Sequence, residues 1–255
     1  MVEVSPLEPR SGQPAIRHVR AALERGLHVI TANKGPVAFA RSRLLALARR
    51  RGVGFLHEGA VMDGIPVFNL VERCLPGARV TGFRGVLNAT TTRILARLEE
   101  GADAEQALRE ARAAGIVEAD PGFDLDGWDA AVKGCALAAA LMQARVRPDR
   151  IPRRGIRGLD PRRVAAARRH ERRIRLVVEA RRDGRGRAAL RVAPRELPLD
   201  DVLASAPSDG VLVLETDLAG KLAIWQGRGG VDQTAYALLS DLLAVAGVGW
   251  RPPRG

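Results

Sequence analysis

The sequence predicts an α/β chain, because helical-period and strand-like segments alternate over its first sixty residues and paired strand-like runs joined by turn residues follow later. Pro14 to Gly26 carries Ile16, Val19, Arg20 and Leu23 near a helical period, with Gly26 as its stop. The β-branched run Leu27–Ala32 follows as a strand, Asn33-Lys34-Gly35-Pro36 breaks it, a helix spans Val37–Arg51, and Val53–His57 is a second strand. Ligands of such sheets bind at the carboxyl ends of the strands, where Lys34 falls. Ala78–Val86 alternates as a strand and runs into Asn88-Ala-Thr-Thr-Thr92, a polar cluster suited to cap a helix over Arg93–Glu100. Helices follow over Ala104–Gly115 and, rich in Ala and Leu, over Asp129–Arg145. Arg173–Arg182 and Arg187–Ala193 form a hairpin about Asp183-Gly184, Val211–Asp217 pairs with Lys221–Gln226, and Thr234–Ala246 is the last helix.

Of 255 residues, 46% are hydrophobic and 27% charged, which fits a globular core and not a disordered chain. The formal net charge of +12 is local: Arg145 to Arg195 holds nineteen arginines against five acids, and the remainder is close to neutral. That stretch lacks interleaved aromatics, so an Arg-rich nucleic-acid-binding module has charge alone in its favour and a nucleic-acid partner is disfavoured. Two cysteines, Cys74 and Cys135, exclude a disulfide framework or zinc cluster and suit a reducing cytoplasm. No apolar run approaches the roughly 18 to 20 residues of a membrane span, and the N-terminus lacks a signal core, so a cytoplasmic protein away from membranes is expected.

Only Lys34, Lys133 and Lys221 are lysines among 41 basic residues. Arg replaces Lys wherever a solvated cation suffices but cannot surrender its proton, so a retained lysine is a candidate for proton chemistry. The densest polar stretch runs from Glu118 through Asp120, Asp124, Asp126 and Asp129 to Lys133. Asp129 and Lys133, four apart at a helix start, share one face, and carboxylates facing a lysine can hold an ammonium-bearing substrate while the lysine moves a proton. A calcium loop fails here, because Gly122 would be its first position and Lys133 its twelfth; a solvated acidic cap is the plainer alternative. Thr31 to Pro36 and Gly227-Arg-Gly229-Gly230 are further candidate turns, each also readable as an ordinary connection. Gly184-Arg-Gly186-Arg-Ala-Ala189 fits a dinucleotide fingerprint formally but lies between strands and reads as a hairpin, and Cys135 reads as a buried structural thiol.

Five blocks in order resemble the homoserine dehydrogenase family: Glu24 to Pro36, Glu58-Gly-Ala-Val-Met-Asp-Gly64-Ile-Pro66, Gly85-Val-Leu-Asn-Ala-Thr-Thr91, Glu118-Ala-Asp-Pro through Lys133, and Gly227-Arg-Gly-Gly with Thr234-Ala235. The resemblance implies the C-terminal part of a Rossmann-type nucleotide-binding domain over 1–57, an α+β substrate and dimerisation domain with a mixed or antiparallel sheet over 58–225, and a C-terminal helix returning to the first domain over 226–255. It implies interconversion of L-aspartate 4-semialdehyde and L-homoserine with NAD or NADP, on the branch to threonine, methionine and isoleucine, by a homodimer. By position, Lys133 and Lys34 are the catalytic pair, and Glu118, Asp129 and Asp124 the substrate ligands. Asn33, Lys34, Gly227 and Gly229 are the cofactor contacts, and Glu58, Val61, Asp63 and Ile65 a monovalent-cation loop for Na+ or K+ built mainly from carbonyls. Departures are Ala89 for a usual Gly, Thr92 for Asn and Ile116 for an aromatic. The resemblance begins part-way through the nucleotide-binding domain, after the family's glycine-rich phosphate loop, so weak cofactor affinity is expected, with a non-catalytic fragment or subunit of the fold as the alternative.

Overall fold

The computed structural model describes residues 1–115, 121–183, 186–205, 210–227 and 229–247. The chain divides into two units, residues 1–76 with 229–255, and residues 77–228.

The first unit opens with β1 (Val2–Glu3), α1 (Ala15–Glu24), β2 (Val29–Thr31), α2 (Lys34–Arg51) and β3 (Phe55–Leu56), whose strands form a parallel sheet in the order β1-β2-β3. Val19, Leu23, Val29, Leu44 and Phe55 bury together between sheet and helices. Helix α2 starts at Lys34, before the expected Val37, because proline in a first turn has no bonded N–H to lose and Asn33 caps the helix, its side chain accepting from Gly35 N at 2.9 Å. Gly52, at φ 66°, ends it, with the N–H of Val53 returning to the carbonyl of Ala48. A 3-10 turn over Glu58–Ala60 and a short helix α3 (Val67–Asn69), widening to a π turn over Leu70–Cys74, complete this stretch. Residues 58–76, grouped with the second domain on sequence, thus fold with the first unit.

The second unit holds β4 (Val80–Val86), α4 (Ala89–Glu99), α5 (Ala104–Ala113), α6 (Gly122–Leu125), α7 (Trp128–Leu141), α8 (Pro161–Arg169), β5 (Arg172–Arg182), β6 (Ala188–Pro198), β7 (Gly210–Thr216) and β8 (Lys221–Gln226). The strands form one antiparallel sheet in the order β6-β5-β4-β7-β8. Helix α7 lies on this sheet so closely that a Cβ on Gly134 would stand 2.5 Å from Cγ1 of Val178. Strand β6 runs five residues beyond the expected Ala193 through Pro194, which the fold tolerates because β6 is an edge strand of the sheet, its outward bonds at Val192 going to Pro152 and Arg154. Gly184 and Arg185 of the hairpin turn lie outside the described residues. Helix α4 begins four residues before the expected Arg93: Asn88 alone is the cap, and the threonines lie inside the first turn. Helix α8 escapes a periodicity reading because only Val164 and Ala167 are buried, although Asp160-Pro161 is a cap followed by proline at the first helical position.

The chain then forms α9 (Val231–Val245) in the first unit, where Asp241 accepts a hydrogen bond from the Glu58 N–H at 2.9 Å.

Candidate active site

In the second unit, strand β4 delivers the chain to a turn at Leu87 and Asn88, which gathers polar groups from α4, α6 and α7. Asn88 is buried, and its side-chain oxygen accepts from Thr91 N at 2.8 Å. Its amide Nδ2 donates to Asp124 Oδ1 at 2.7 Å and to Asp129 Oδ2 at 2.9 Å, so one side chain joins two carboxylates from two other helices. The hydroxyls of Thr91 and Thr92 both donate to the Asn88 carbonyl at 3.0 Å. Lys133, one turn after Asp129 on α7, places Nζ 3.0 Å from Asp129 Oδ2 and donates to the Leu87 carbonyl at 2.7 Å. Asp129 is 7% exposed along its side chain and Lys133 21%, which leaves the lysine reachable from solvent and the acid enclosed. Burial pushes the Asp124 carboxyl above the usual carboxylate range and the charge of Asp129 adds to this, against hydrogen bonds from Asn88 and Thr90 and the Lys133 charge.

The segment carrying these acids is clamped from one side. The N–H groups of Ile156 and Arg157 donate to the Leu125 carbonyl, and Arg153 Nη1 donates to the Asp126 carbonyl at 2.7 Å while its guanidinium lies 3.6 Å over the Trp128 ring. Gly155 is required by this clamp, since a Cβ there would overlap the backbone of Leu125 and Asp126. Gly127, at φ 76°, supplies the left-handed turn that starts α7.

In the first unit, Asn33 and Lys34 follow β2 at its carboxyl end. The Asn33 amide donates to the Ser5 carbonyl at 2.9 Å, its N–H donates to Thr31 Oγ1 at 3.0 Å, and Thr31 Oγ1 donates to the buried Glu3 at 2.7 Å. Lys34 is therefore the first residue of a rigidly seated helix, and it is half-buried. A cation at this positive helix end opposes the macrodipole, so helix stability does not account for Lys34.

The turn after β3 is built around Glu58, whose Oε1 accepts from Phe68 N at 2.8 Å and Oε2 from Asn69 N at 3.0 Å. Burial pushes the Glu58 carboxyl up to about 7, opposed by those hydrogen bonds, and burial likewise takes Asp241 to about 6. Met62 and Asp63 hold left-handed backbone, and Asp63 accepts from Gly230 N at 3.0 Å and from the Thr234 hydroxyl at 3.3 Å. Val61 is buried and Ile65 half-buried, while Gly227 is exposed at the end of β8 and Gly229 half-buried before α9. Among the described residues no group of three or more His, Cys, Asp and Glu comes together as a metal cluster.

Residues 66–243 match the family model for homoserine dehydrogenase. An NAD(+)-dependent homoserine dehydrogenase of Pseudomonas canavaninivorans is 37% identical over 246 residues, covering 96% of this chain and 70% of that protein. The chain belongs to the homoserine dehydrogenase family. The solved structure of a homoserine dehydrogenase from Thiobacillus denitrificans superposes with a TM-score of 0.86 at 32% identity, over 96% of this chain and 56% of that one. A hyperthermophilic archaeal homoserine dehydrogenase in complex with NADPH superposes with a TM-score of 0.79 at 28% identity, over 96% of this chain and 71% of that one.

Of the residues that the family resemblance singled out, Asp124, Asp129 and Lys133 meet in one cluster, and Asn33 and Lys34 sit together at the end of β2. Glu58 and Asp63 belong to the turn beneath α9, and Glu118 lies outside the described residues. Sequence reasoning missed the part of Asn88 in joining the two acids. It saw a helix cap, and the 36 and 41 residues separating Asn88 from its two carboxylate partners leave no local signal for more.

Proposed function

We propose that this member of the homoserine dehydrogenase family catalyses the NAD(P)-dependent interconversion of L-aspartate 4-semialdehyde and L-homoserine, with Lys133 moving the proton. The observation that carries the reading is the Lys133 ammonium held between Asp129 and the Leu87 carbonyl, beside two carboxylates joined by Asn88. As the aldehyde is reduced, the Lys133 ammonium gives a proton to the oxygen that becomes the homoserine hydroxyl, and in the other direction the neutral amine takes it back. Asp129 and Asp124, with Glu118, attract the substrate's ammonium group, and Asn88 fixes the acids at hydrogen-bonding distance from one another's partners. NAD or NADP supplies or accepts the hydride when bound. The fit to that cofactor rests on its nicotinamide side: a parallel sheet, a strand end, and the half-buried Lys34 at the start of a helix whose cap is immobilised. Asn33, Lys34, Gly227 and Gly229 are the residues assigned to hold it, Lys34 also contacting substrate.

The carbonyls of Glu58, Val61 and Ile65, with Asp63, are the proposed seat of a Na+ or K+ ion; the Glu58 carboxylate itself is taken up by the backbone of Phe68 and Asn69. A homodimer through the second unit's sheet is part of the same reading, supported by Trp225, half exposed on the edge strand β8. So are a cytoplasmic setting and a place in threonine, methionine and isoleucine synthesis. Among the described residues no helix is long and apolar enough to cross a membrane. The test is homoserine-dependent reduction of NAD and of NADP by the purified chain at high cofactor concentration. Activity that vanishes in a folded Lys133→Ala variant supports the assignment, and an active Lys133→Ala enzyme ends it.

A further inference from the structure

Asn88 caps α4 with its side-chain oxygen, and a serine, threonine or aspartate would serve that purpose as well. Those residues lack the other end of the amide: aspartate has no donor when ionised and a hydroxyl has one. With the Asn88 oxygen taken by Thr91 N, its nitrogen must face the acids, and both N–H groups are spent there, one on Asp124 Oδ1 and one on Asp129 Oδ2. A single planar, uncharged group therefore stands as a double donor between carboxylates delivered by α6 and α7. The demands of the helix cap do not account for this choice of residue, and the two donors do.

Two carboxyls placed this close repel each other when both are charged, and the usual relief is for one of them to take up a proton. Burial, and then the charge of Asp129, already press Asp124 in that direction. An amide N–H favours the ionised form of each acid, and does so without bringing a charge of its own. Lys133 acts in the same sense on Asp129 Oδ2 at 3.0 Å, and the Thr90 side chain does so on Asp124. Asp126, between the two acids in sequence, is engaged elsewhere, with its carboxylate on Arg157 Nε at 2.6 Å and its carbonyl on Arg153.

We propose that Asn88 is a positioning residue that keeps Asp124 and Asp129 ionised together, and so sets the lowest pH at which this pair receives a substrate's ammonium group. The first half stands on the amide's own contacts, and the second rests on the reading of these acids as ammonium ligands.

The experiment is a carbon-13 NMR titration of the purified chain labelled at its aspartate carboxyl carbons, with Asp124→Asn and Asp129→Asn to assign the two signals. Asn88→Ser and Asn88→Asp both keep an oxygen to cap α4, and circular dichroism checks the fold. Loss of the two N–H donors is expected to raise the midpoint of one of the two carboxyls by about one pH unit or more in Asn88→Ser, and further in Asn88→Asp, which adds a like charge. The pH profile of kcat/KM for homoserine is expected to follow, its acid limb moving towards neutral pH. An Asn88 that only caps the helix leaves both midpoints where they stand in the unaltered protein, so unchanged midpoints in the two variants overturn its assignment. Midpoints that rise while the acid limb stays in place overturn its link to substrate recognition. If the unaltered chain turns over no homoserine, the proposed activity fails, and the carboxyl midpoints still decide the role of Asn88.

Discussion

The two units handle buried charge in opposite ways. In the first, buried acids serve the backbone: Glu58 holds the N–H groups of Phe68 and Asn69, Asp241 holds the N–H of Glu58, and Glu3 holds the N–H of Ser5. In the second, Asp124 and Asp129 face a side-chain amide and a lysine. Acids bonded to backbone fix a shape, whereas acids set against a movable proton and a donor amide keep chemistry in reserve. Changes in the second cluster should therefore alter rate before stability, and changes in the first should alter stability and its pH dependence.

The largest expected effect is on rate. Lys133→Arg keeps the charge beside Asp129 and removes the capacity to release a proton, so turnover should fall by about 10² to 10⁴ fold with the melting temperature nearly unchanged. Steady-state kinetics with homoserine, alongside thermal unfolding, decides this. An arginine variant retaining most of its turnover would make Lys133 a charge partner only and dissolve the contrast between the units.

The next effect separates two opposed pH responses in the first unit. Glu58 has a folded pKa of about 7 against an ordinary 4.5, so between those values the folded chain keeps a proton that the unfolded chain has released. Stability therefore falls as pH rises through that window, by about 3 kcal/mol, and Asp241 acts in the same direction at lower pH. His57 works the other way. It is buried between Phe55 and Phe68, its Nε2 accepts from Arg41 Nε at 3.1 Å, and burial with the Arg41 charge takes it down to about 3. Below its ordinary 6.5 the unfolded chain binds a proton that the folded chain refuses, so His57 lowers stability as pH falls. In urea unfolding at several pH values, Glu58→Gln should leave mainly the acid-sensitive limb and His57→Gln mainly the limb that falls with rising pH. Curves for both variants that keep the shape of the unaltered protein would contradict this account.

The same division explains what was legible in sequence. The parallel unit's α1, β2, α2 and β3 are local patterns of periodicity and turn residues, and were expected close to where they lie. Strand β1 is two residues long and exists only because β2 offers it a ladder, so no run within it could announce it. In the second unit the strands were legible as alternating runs, but α6 buries none of its four residues and left no apolar stripe to read. At the site, composition singled out Lys34 and Lys133, and the spacing of Asp129 and Lys133 gave their shared face. The joining of Asp124 to Asp129 needed the fold, because Asn88 reaches them only after the chain has passed through α4 and α5.

A packing change tests whether the second unit's helix is seated by shape. Gly134→Ala forces a methyl towards Val178 and Leu190, and either α7 or the sheet must shift. The expected cost is about 1 to 3 kcal/mol in urea unfolding. Because α7 also carries Asp129 and Lys133, turnover should fall with it, which a purely local repacking would not produce. Gly134→Ala with normal turnover and lowered stability would mean that the helix shifts as a rigid body with the site intact.

The smallest expected effect is the control that gives the others their meaning. Asp103 caps α5, its side chain accepting from Gln106 N at 2.7 Å, on a surface helix that carries no proposed site residue. Asp103→Ala should cost about 1 kcal/mol, typical of a lost cap, and leave kcat unchanged. If turnover falls in proportion to that small loss, the site shares its stability with the whole second unit, and a rate lost in Gly134→Ala is no longer a statement about α7. If turnover holds, rate and stability are separable in this unit, and a slow but stable Lys133→Arg enzyme can be read as chemistry.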